Sequence, residues 1–443
     1  MKVDVGFGIF VNAGIQPVAI VVREQATQCG DFIVARMFGD QSRGHAFQRR
    51  PPAMYGHHCR LVIDLRGARP RARAGLAGLR CQRQSRAEID SNRQGHIGHR
   101  LPRRLPLGPL AAQALFALSE DAIRLVDDRV VRHGIDCDLA RGFFFGATRP
   151  GRMKHAVAEH AALRDVFGLG RVHMLDRAEA IALTGTERFH GGVLDPGAGH
   201  IHSLKYCLGL ARAAATAGAM LHENVSALSV DPERGVVVTP QGTIRAERVV
   251  VAANAYLDGL LPNIEPRALG VGTWVMTTEP LPAEVRDRLL PGNECVCDDN
   301  AVLDYFRFTA DNRLLFGGGV SYLGRDDGAA AAGLLRRRIA ETYPELADAP
   351  VGQVWGGKVS ITRNRLPDIG RAGRRVWYAH GFSGQGVAIT GIAGKLIAAA
   401  IQGDEAGFRT LSGVPHRDFP GGPYLRRPLV TLGRLWYRLM DRF

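Results

Sequence analysis

An α/β fold with a covered sheet and a second, antiparallel sheet is predicted by three stretches of this 443-residue chain. The first lies near the end. Val376-Trp-Tyr-Ala379 is a short apolar strand that runs into glycines at 381, 384 and 386. A helix follows, with Val387, Ile389, Ile392, Leu396, Ile397 and Ile401 at helical spacing and a stop at Gly403. The second stretch, Arg248-Val-Val-Val-Ala-Ala-Asn-Ala255, is almost wholly apolar past its first residue, as in a strand inside a sheet covered on both faces. In the third, residues 266–278 and 301–320 alternate like half-exposed antiparallel strands. Strand, glycine turn and helix N-terminus together present backbone N–H groups beside the positive end of a helix dipole. That arrangement suits a negatively charged or electron-rich ligand.

With 46% hydrophobic residues, the chain is long enough for a large core and two domains. The net charge of +14 suggests a nucleic-acid partner until it is located. Residues 1–105 carry 18 Lys+Arg against 7 Asp+Glu, a balance of +11, which leaves +3 for all the rest. The body is nearly neutral, so no nucleic-acid partner is expected for it. Seven scattered cysteines argue against a disulfide framework and for a reducing, cytoplasmic location. Cys295-Val-Cys297 is too tight for a zinc knuckle, and His200 and His202 share a strand face without a third ligand, so no metal is expected. The uncharged run Val5–Val22 is interrupted by Asn12, Gln16 and Pro17 and preceded by Asp4, which argues against a signal peptide or membrane span.

In chain order, Val3–Val11 and Pro17–Val22 read as strands around an Asn-Ala-Gly turn. From Gln41 to Arg104 helical and strand periodicity vanish, and residues 1–105 hold 17 Arg to a single Lys. A basic nucleic-acid arm lacks here the interleaved aromatics of a stacking surface. A GC-rich gene read out of frame yields the same Arg-, Ala-, Gly- and Pro-rich composition. After Leu105 order begins: a helix at Ala111–Arg132, a strand at Phe143–Phe145, a helix at His155–Phe167 and a strand pair within Gly191–Ile201. Leu204–Ala217 is a helix closed by Gly218, Met220–Ile244 gives short strands around two turns, and Leu334–Thr342 is helical. Phe408–Phe443 reads as a Pro-rich tail ending in a basic amphipathic helix, Leu429–Phe443. Docking of that helix on its own protein is favoured over peripheral membrane contact.

The C-terminal stretch resembles the closing segment of the FAD-dependent oxidoreductases of the D-amino-acid oxidase superfamily. His222-Glu-Asn-Val-Ser-Ala-Leu228 followed by Glu247-Arg-Val-Val-Val-Ala-Ala-Asn-Ala-Tyr256 is similar to the family's pattern. Gly134-Ile-Asp-Cys-Asp-Leu139 and Phe419-Pro-Gly-Gly with Trp436-Tyr-Arg-Leu-Met-Asp441 resemble its gamma-glutamylputrescine oxidoreductase branch. The resemblance spans about Ala111–Phe443. It implies a discontinuous FAD-binding Rossmann-like domain, its N-terminal part degraded, and an α+β substrate domain with an antiparallel sheet. The expected partition is a basic segment at 1–105, out of frame or degenerate, and helices with substrate-domain strands at 106–199. An FAD-domain segment at 200–260, substrate domain at 261–350, closing FAD segment at 351–407 and tail at 408–443 follow.

The same resemblance implies roles. Gly381, Phe382, Ser383, Gly384, Gln385, Gly386 and Val387 would run under the flavin ring, and Gly357 would pass close to it. Val225 would meet the adenine, and Ala253 and Asn254 would flank the cofactor. Lys358 would add a positive charge or help oxygen react, while Tyr305 and Arg307 would face the substrate. The implied chemistry is hydride transfer from a C–H beside an amine to the flavin, hydrolysis of the imine, and reoxidation by oxygen or another acceptor. The substrate would be a small amine or amino acid, of the gamma-glutamylputrescine, sarcosine or D-amino-acid type.

Plainer roles stand beside each of these. Lys358 also suits a solvated or ion-paired lysine, Tyr305 a core or interface aromatic, Val225 and Ala253 ordinary core positions, and His380 a turn residue rather than a base. One departure from the family is large. It opens with a strand and Gly-x-Gly-x-x-Gly, where pyrophosphate meets bare backbone. Here Gly6-Phe-Gly8-Ile-Phe-Val11 puts a β-branched residue at the third position, and Ser91-Asn-Arg-Gln-Gly-His96 is only an echo of a later family turn. A defective, FAD-free product of such a gene is therefore a rival reading, as is a basic nucleic-acid module joined to an inert body. Translating the upstream DNA in the other two frames tests the frame reading. A strand followed by Gly-x-Gly-x-x-Gly is the expected result, and its absence from both frames contradicts it.

Overall fold

The structure, a computed structural model, describes residues 18–23, 60–64, 109–223, 225–300, 302–321 and 328–420. Its first sheet has six strands in the order β16-β17-β10-β1-β2-β6. These are β1 (Val18–Arg23), β2 (Arg60–Asp64), β6 (Met220–His222), β10 (Arg248–Val251), β16 (Asp368–Ala372) and β17 (Val376–His380). The central strands β1, β10 and β17 run parallel. The apolar runs of β10 and β17 follow from double coverage, because successive side chains feed two different cores. Val250, Trp377 and Ala379 pack with helices α1 (Pro109–His133), α4 (Ser203–Thr216) and α7 (Gly386–Ile401). Val249, Val251, Val376 and Tyr378 pack on the other face, under a three-stranded sheet of β7 (Ser229–Asp231), β8 (Val236–Thr239) and β9 (Gly242–Arg245).

The second sheet has eight strands in the order β15-β11-β14-β13-β12-β3-β5-β4. They are β3 (Ala140–Gly146), β4 (His173–Leu175), β5 (Gly192–His200), β11 (Ala268–Thr278), β12 (Cys295–Asp298), β13 (Tyr305–Phe308), β14 (Leu314–Ser321) and β15 (Val351–Thr362). Only the β3–β12 pairing in this sheet is parallel. One face is closed by helix α6 (Gly328–Thr342) over Phe144, Phe306, Phe308, Phe316 and Met276. Phe306 stacks on Phe316 at 5.4 Å between ring centroids and meets Tyr343 edge-on at 5.6 Å. Each of these rings contributes about 1.5–3 kcal/mol by burial, which makes this face a rigid plate. The opposite face carries Phe143, Phe145, Cys295, Cys297 and Tyr305. Among the described residues no helix is long and apolar enough to cross a membrane.

Helices α2 (Met153–Ala161), α3 (Arg177–Thr184), α5 (Ala283–Leu289) and α8 (Ala406–Ser412) complete the described α-helices. Helix α3 shows why its ends are sharp. Asp176 and Glu179 form a reciprocal capping box, and Gly185 closes the other end at φ 61°.

Several expectations are corrected. Arg60–Asp64, inside the stretch expected to lack periodicity, is a strand between β1 and β6; its apolar run of three is too short to register alone. Gly191–Ile201 is one strand rather than a pair. The β3–β5 register breaks between Arg141 and Phe143 and absorbs Pro196 as a bulge, so the strand runs on through it. The helix expected through Phe167 gives way at Ala162 to a π-helical turn, where Phe167 stacks on Phe116 at 4.2 Å. Phe408 belongs to α8, buried against the six-stranded sheet's core, rather than to a tail. The segment 351–407 divides, with β15 in the eight-stranded sheet and β16, β17 and α7 in the other half. Helix α1, grouped with substrate-domain strands in 106–199, packs into the core under the six-stranded sheet. The Gly6–Val11 and Ser91–His96 stretches and the helix at Leu429–Phe443 lie outside the described residues.

His200, at the end of β5, is buried and donates through Nε2 to the Asn293 carbonyl at 2.8 Å. Burial, helped by the Arg307 charge, pushes its pKa down to about 3. The imidazole is neutral in the fold and titrates near 6.5 when unfolded. Its contribution is therefore fully present above about 6.5 and is lost as pH falls from there toward 3, by up to ~1.4 kcal/mol per pH unit. Urea denaturation at pH 7.5 and 5.5 should show His200→Gln losing about 1 kcal/mol less than the native chain. Equal losses contradict this account.

A candidate active site where the glycine turn meets the eight-stranded sheet

Ligands in open α/β sheets lie outside the carboxyl ends of the parallel strands. Here those ends are built from unusual backbone. After β10, Ala253 is buried and Asn254 takes φ 42°, with its buried side-chain oxygen lacking a hydrogen-bond partner among the described residues. After β17 the chain passes through Gly381 at φ 70°, Ser383 at φ 51° and Gly384 at φ 89° before entering α7. Val225, half-buried, follows β6, whose carboxyl end lies on the same edge.

The turn is stitched to β15. The Ser383 amide donates to the Ser360 carbonyl at 2.8 Å, Ile361 and Phe382 form an antiparallel bridge, and the Ser383 hydroxyl accepts from the Thr362 amide at 3.3 Å. A Cβ on Gly381 would come within 2.4 Å of Thr362 Cγ2, so both contact and φ demand glycine there. Among the described residues, a Cβ on Gly384 would meet only Val359 Cγ1, at 3.8 Å. Gln385, the N-cap of the 16-residue α7, makes no side-chain capping bond, and the first turn holds no acidic residue. No side-chain charge in that first turn offsets the positive end of the helix dipole.

Above the turn stands the face of the eight-stranded sheet. Cross-strand partners project to the same side. The pairs Val275–Trp355, Val275–Gly317, Tyr305–Gly317, Cys297–Tyr305 and Phe145–Cys297 therefore form one row across five junctions of the sheet. The Tyr305 ring lies over Gly317, where a Cβ would come within 2.1 Å of it. Gly357, two residues after Trp355, shares that face. Arg307 also shares it, and its guanidinium donates to the Phe308 carbonyl at 3.0 Å and the Ile201 carbonyl at 3.3 Å. Arg307 thus ties β13 to the segment that enters α4.

Lys358 is not brought together with Tyr305 and Arg307. It pairs with Gly272 and so points to the other side of β15. Its ammonium stands 5.3 Å over the Tyr256 ring, and its amide donates to the Tyr256 hydroxyl at 3.3 Å. The structure gathers Ala253, Asn254, Gly381, Phe382, Ser383, Gly384, Gln385, Gly386 and Val387 at one sheet edge, with Val225 on the outer strand. His380 is the buried last residue of β17 rather than a turn residue, and its Nε2 donates to Asp368 at 3.0 Å. Trp355 and Asp368 carry no role in the sequence reading. Asp368 and His380 lie twelve positions apart and meet only through antiparallel pairing.

These residues fit the ring end of a flavin. The room beside Gly384, the glycine-rich backbone leading into α7 and the Asn254 oxygen with no partner among the described residues suit a planar ligand with hydrogen-bonding edges and a growing negative charge.

Known proteins point the same way. Residues 72–400 match the family described as FAD dependent oxidoreductase (DAO), so the match begins well before residue 111. The gamma-glutamylputrescine oxidoreductase of Escherichia coli (strain K12) is 35% identical over 333 residues, covering 75% of this chain and 78% of that protein. A probable oxidoreductase OrdL of Rhizobium meliloti (strain 1021) is 35% identical over 339 residues, covering 76% of this chain and 78% of its own. Among solved structures, glycine oxidase from Geobacillus kaustophilus superposes with a TM-score of 0.55 at 26% identity, over 67% of this chain and 79% of that one. Fold, glycine turn and sequence agree: the chain belongs to the DAO family of FAD-dependent oxidoreductases, enzymes of the amine and amino-acid oxidising type.

Proposed function

We propose that this chain oxidises a small N-substituted amine of the gamma-glutamylputrescine kind, in polyamine breakdown in the cytoplasm, at the junction of the glycine turn and the Tyr305 face. The observation that carries the reading is the stitching of the Gly381–Val387 turn to β15, the strand that also presents Trp355 and Gly357 on the Tyr305 face of the eight-stranded sheet. The identity shared with the gamma-glutamylputrescine oxidoreductase supports the substrate class. When bound, FAD supplies two-electron oxidation of a C–H bond beside an amine nitrogen, with the imine hydrolysed by water and the electrons passed to oxygen or another acceptor.

The residues divide the remaining work. The turn amides and the α7 N-terminus stabilise negative charge that develops on the ring, because their dipoles are fixed before reaction. Asn254 offers its side-chain amide, and Ala253 and Gly357 leave room for close approach. Tyr305 and Trp355 form an apolar and hydrogen-bonding wall that orients the substrate's carbon chain. Arg307 holds β13 in register with the cofactor half, so it supports this wall rather than reacting. Lys358 braces β15 against the segment after β10. Val225, just after β6, would meet the adenine. A second reading, an FAD-free product, is favoured by one observation, the β-branched Val11 where the family's third glycine belongs.

Anaerobic mixing of the yellow protein with candidate amines tests the reading. Bleaching by gamma-glutamylputrescine at least tenfold faster than by glycine, sarcosine or D-alanine is expected, and a reversed preference contradicts the substrate class. Lys358→Ala should change the reduction rate less than about threefold, since truncating an exposed lysine away from the site costs under ~0.7 kcal/mol. A hundredfold loss contradicts the bracing role.

A further inference from the structure

A buried polar cluster at the outer edge of the six-stranded sheet takes no part in the steps above. Asp368 opens β16 and pairs with His380 at the end of β17. Both side chains are 2% exposed, and His380 Nε2 donates to Asp368 Oδ2 at 3.0 Å. The Tyr378 hydroxyl donates to Asp368 Oδ1 at 3.0 Å and accepts from Arg267 at 2.9 Å, while Arg267 stands 3.5 Å from the carboxylate. His416, in the segment after α8, completes the surroundings. Burial pushes the Asp368 carboxyl up, but the hydrogen bond from His380 and the neighbouring His380, His416 and Arg267 side chains outweigh it and hold it below the usual range.

A buried ionised carboxylate is costly unless its partners are fixed around it, and such pairs act by imposing geometry. The geometry imposed here is that of the neighbouring turn. Gly381 follows His380 directly, and a Cβ on it would stand 3.7 Å from Asp368 Cβ. The chain is therefore held at His380 by Asp368 and at Ser383 by Ser360. Between those two clamps lie the left-handed backbone at Gly381 and the bridge at Phe382.

We propose that Asp368 and His380 form a positioning pair that sets the path of the Gly381–Val387 turn for the flavin. The proposal rests on the reading of that turn as the flavin's floor. Neither residue touches the reacting atoms. The pair acts through backbone position, so the neutral donor glutamine should replace His380 and an isosteric apolar residue should not.

The test compares His380→Gln, His380→Leu, Asp368→Ala and the His380→Leu/Asp368→Ala double variant with the native chain. FAD dissociation constants, the visible circular dichroism of bound flavin and amide exchange across residues 381–387 are measured. His380→Leu and Asp368→Ala should each weaken FAD about tenfold and alter the visible band, with the double variant no more than twofold worse than the poorer single. His380→Gln should stay within threefold of the native chain with its band unchanged. Binding within threefold and an unchanged band in every variant overturn the proposal, as do fully additive losses. If Asp368→Ala does not fold, the Gln–Leu contrast at His380 decides alone. If the native chain takes up no FAD, it is the flavin reading that fails. The pair is then judged by exchange: at least tenfold faster in His380→Leu than in His380→Gln supports it, and equal rates overturn it.

Discussion

Strand β15 is the constraint on which the site depends. Its 12 residues extend roughly 40 Å, enough to run the length of β11 and still reach the cofactor half. One edge pairs with β11 from Val351–Thr278 to Thr362–Ala268. The other edge, at Ser360 and Ile361, accepts the glycine turn as a stub of additional sheet. A single backbone ladder thereby fixes the aromatic face relative to the turn, and a slip of one residue would turn every side chain of β15 over.

Two well-packed bodies make that ladder effective. Beneath the turn, β10 and β17 are buried on both faces, so the helix and the strand ends cannot shift without disturbing two cores. Above it, the Phe306–Phe316–Tyr343 packing stiffens the eight-stranded sheet from the side opposite Tyr305. In the proposed site the field at the turn would come from oriented backbone, since Lys358 lies on the other side of β15. Lys358 lies on a ring of the other face, and the Asp368 charge beside the turn is countered by Arg267 and the hydrogen bond from His380. Fixed dipoles of this kind stabilise developing charge without reorganising.

The parts readable in the sequence were those whose pattern is local. Val249–Val251 and Val376–Ala379 announce covered strands, and Gly381, Gly384 and Gly386 announce a turn before a helix, because each signal lies within a few residues. What depends on pairing was not readable. Leu61-Val62-Ile63 becomes a strand only between its neighbours, and Pro196 is tolerated only because the register slips there. The side of β15 that Lys358 occupies follows from its partner Gly272, which no local pattern reveals. Asp368 and His380 likewise meet only when β16 folds back on β17. The basic opening stretch gave composition and little pattern, so the grip on the far end of the cofactor was not legible.

The most direct measurement is the flavin content of the purified full-length chain. The geometry predicts a yellow protein that carries FAD through gel filtration at close to one per chain, with a structured visible dichroism from a ring held against fixed dipoles. A folded chain that is colourless, and stays so after incubation with excess FAD, would contradict the assignment of the Gly381–Val387 turn as the floor of a flavin site.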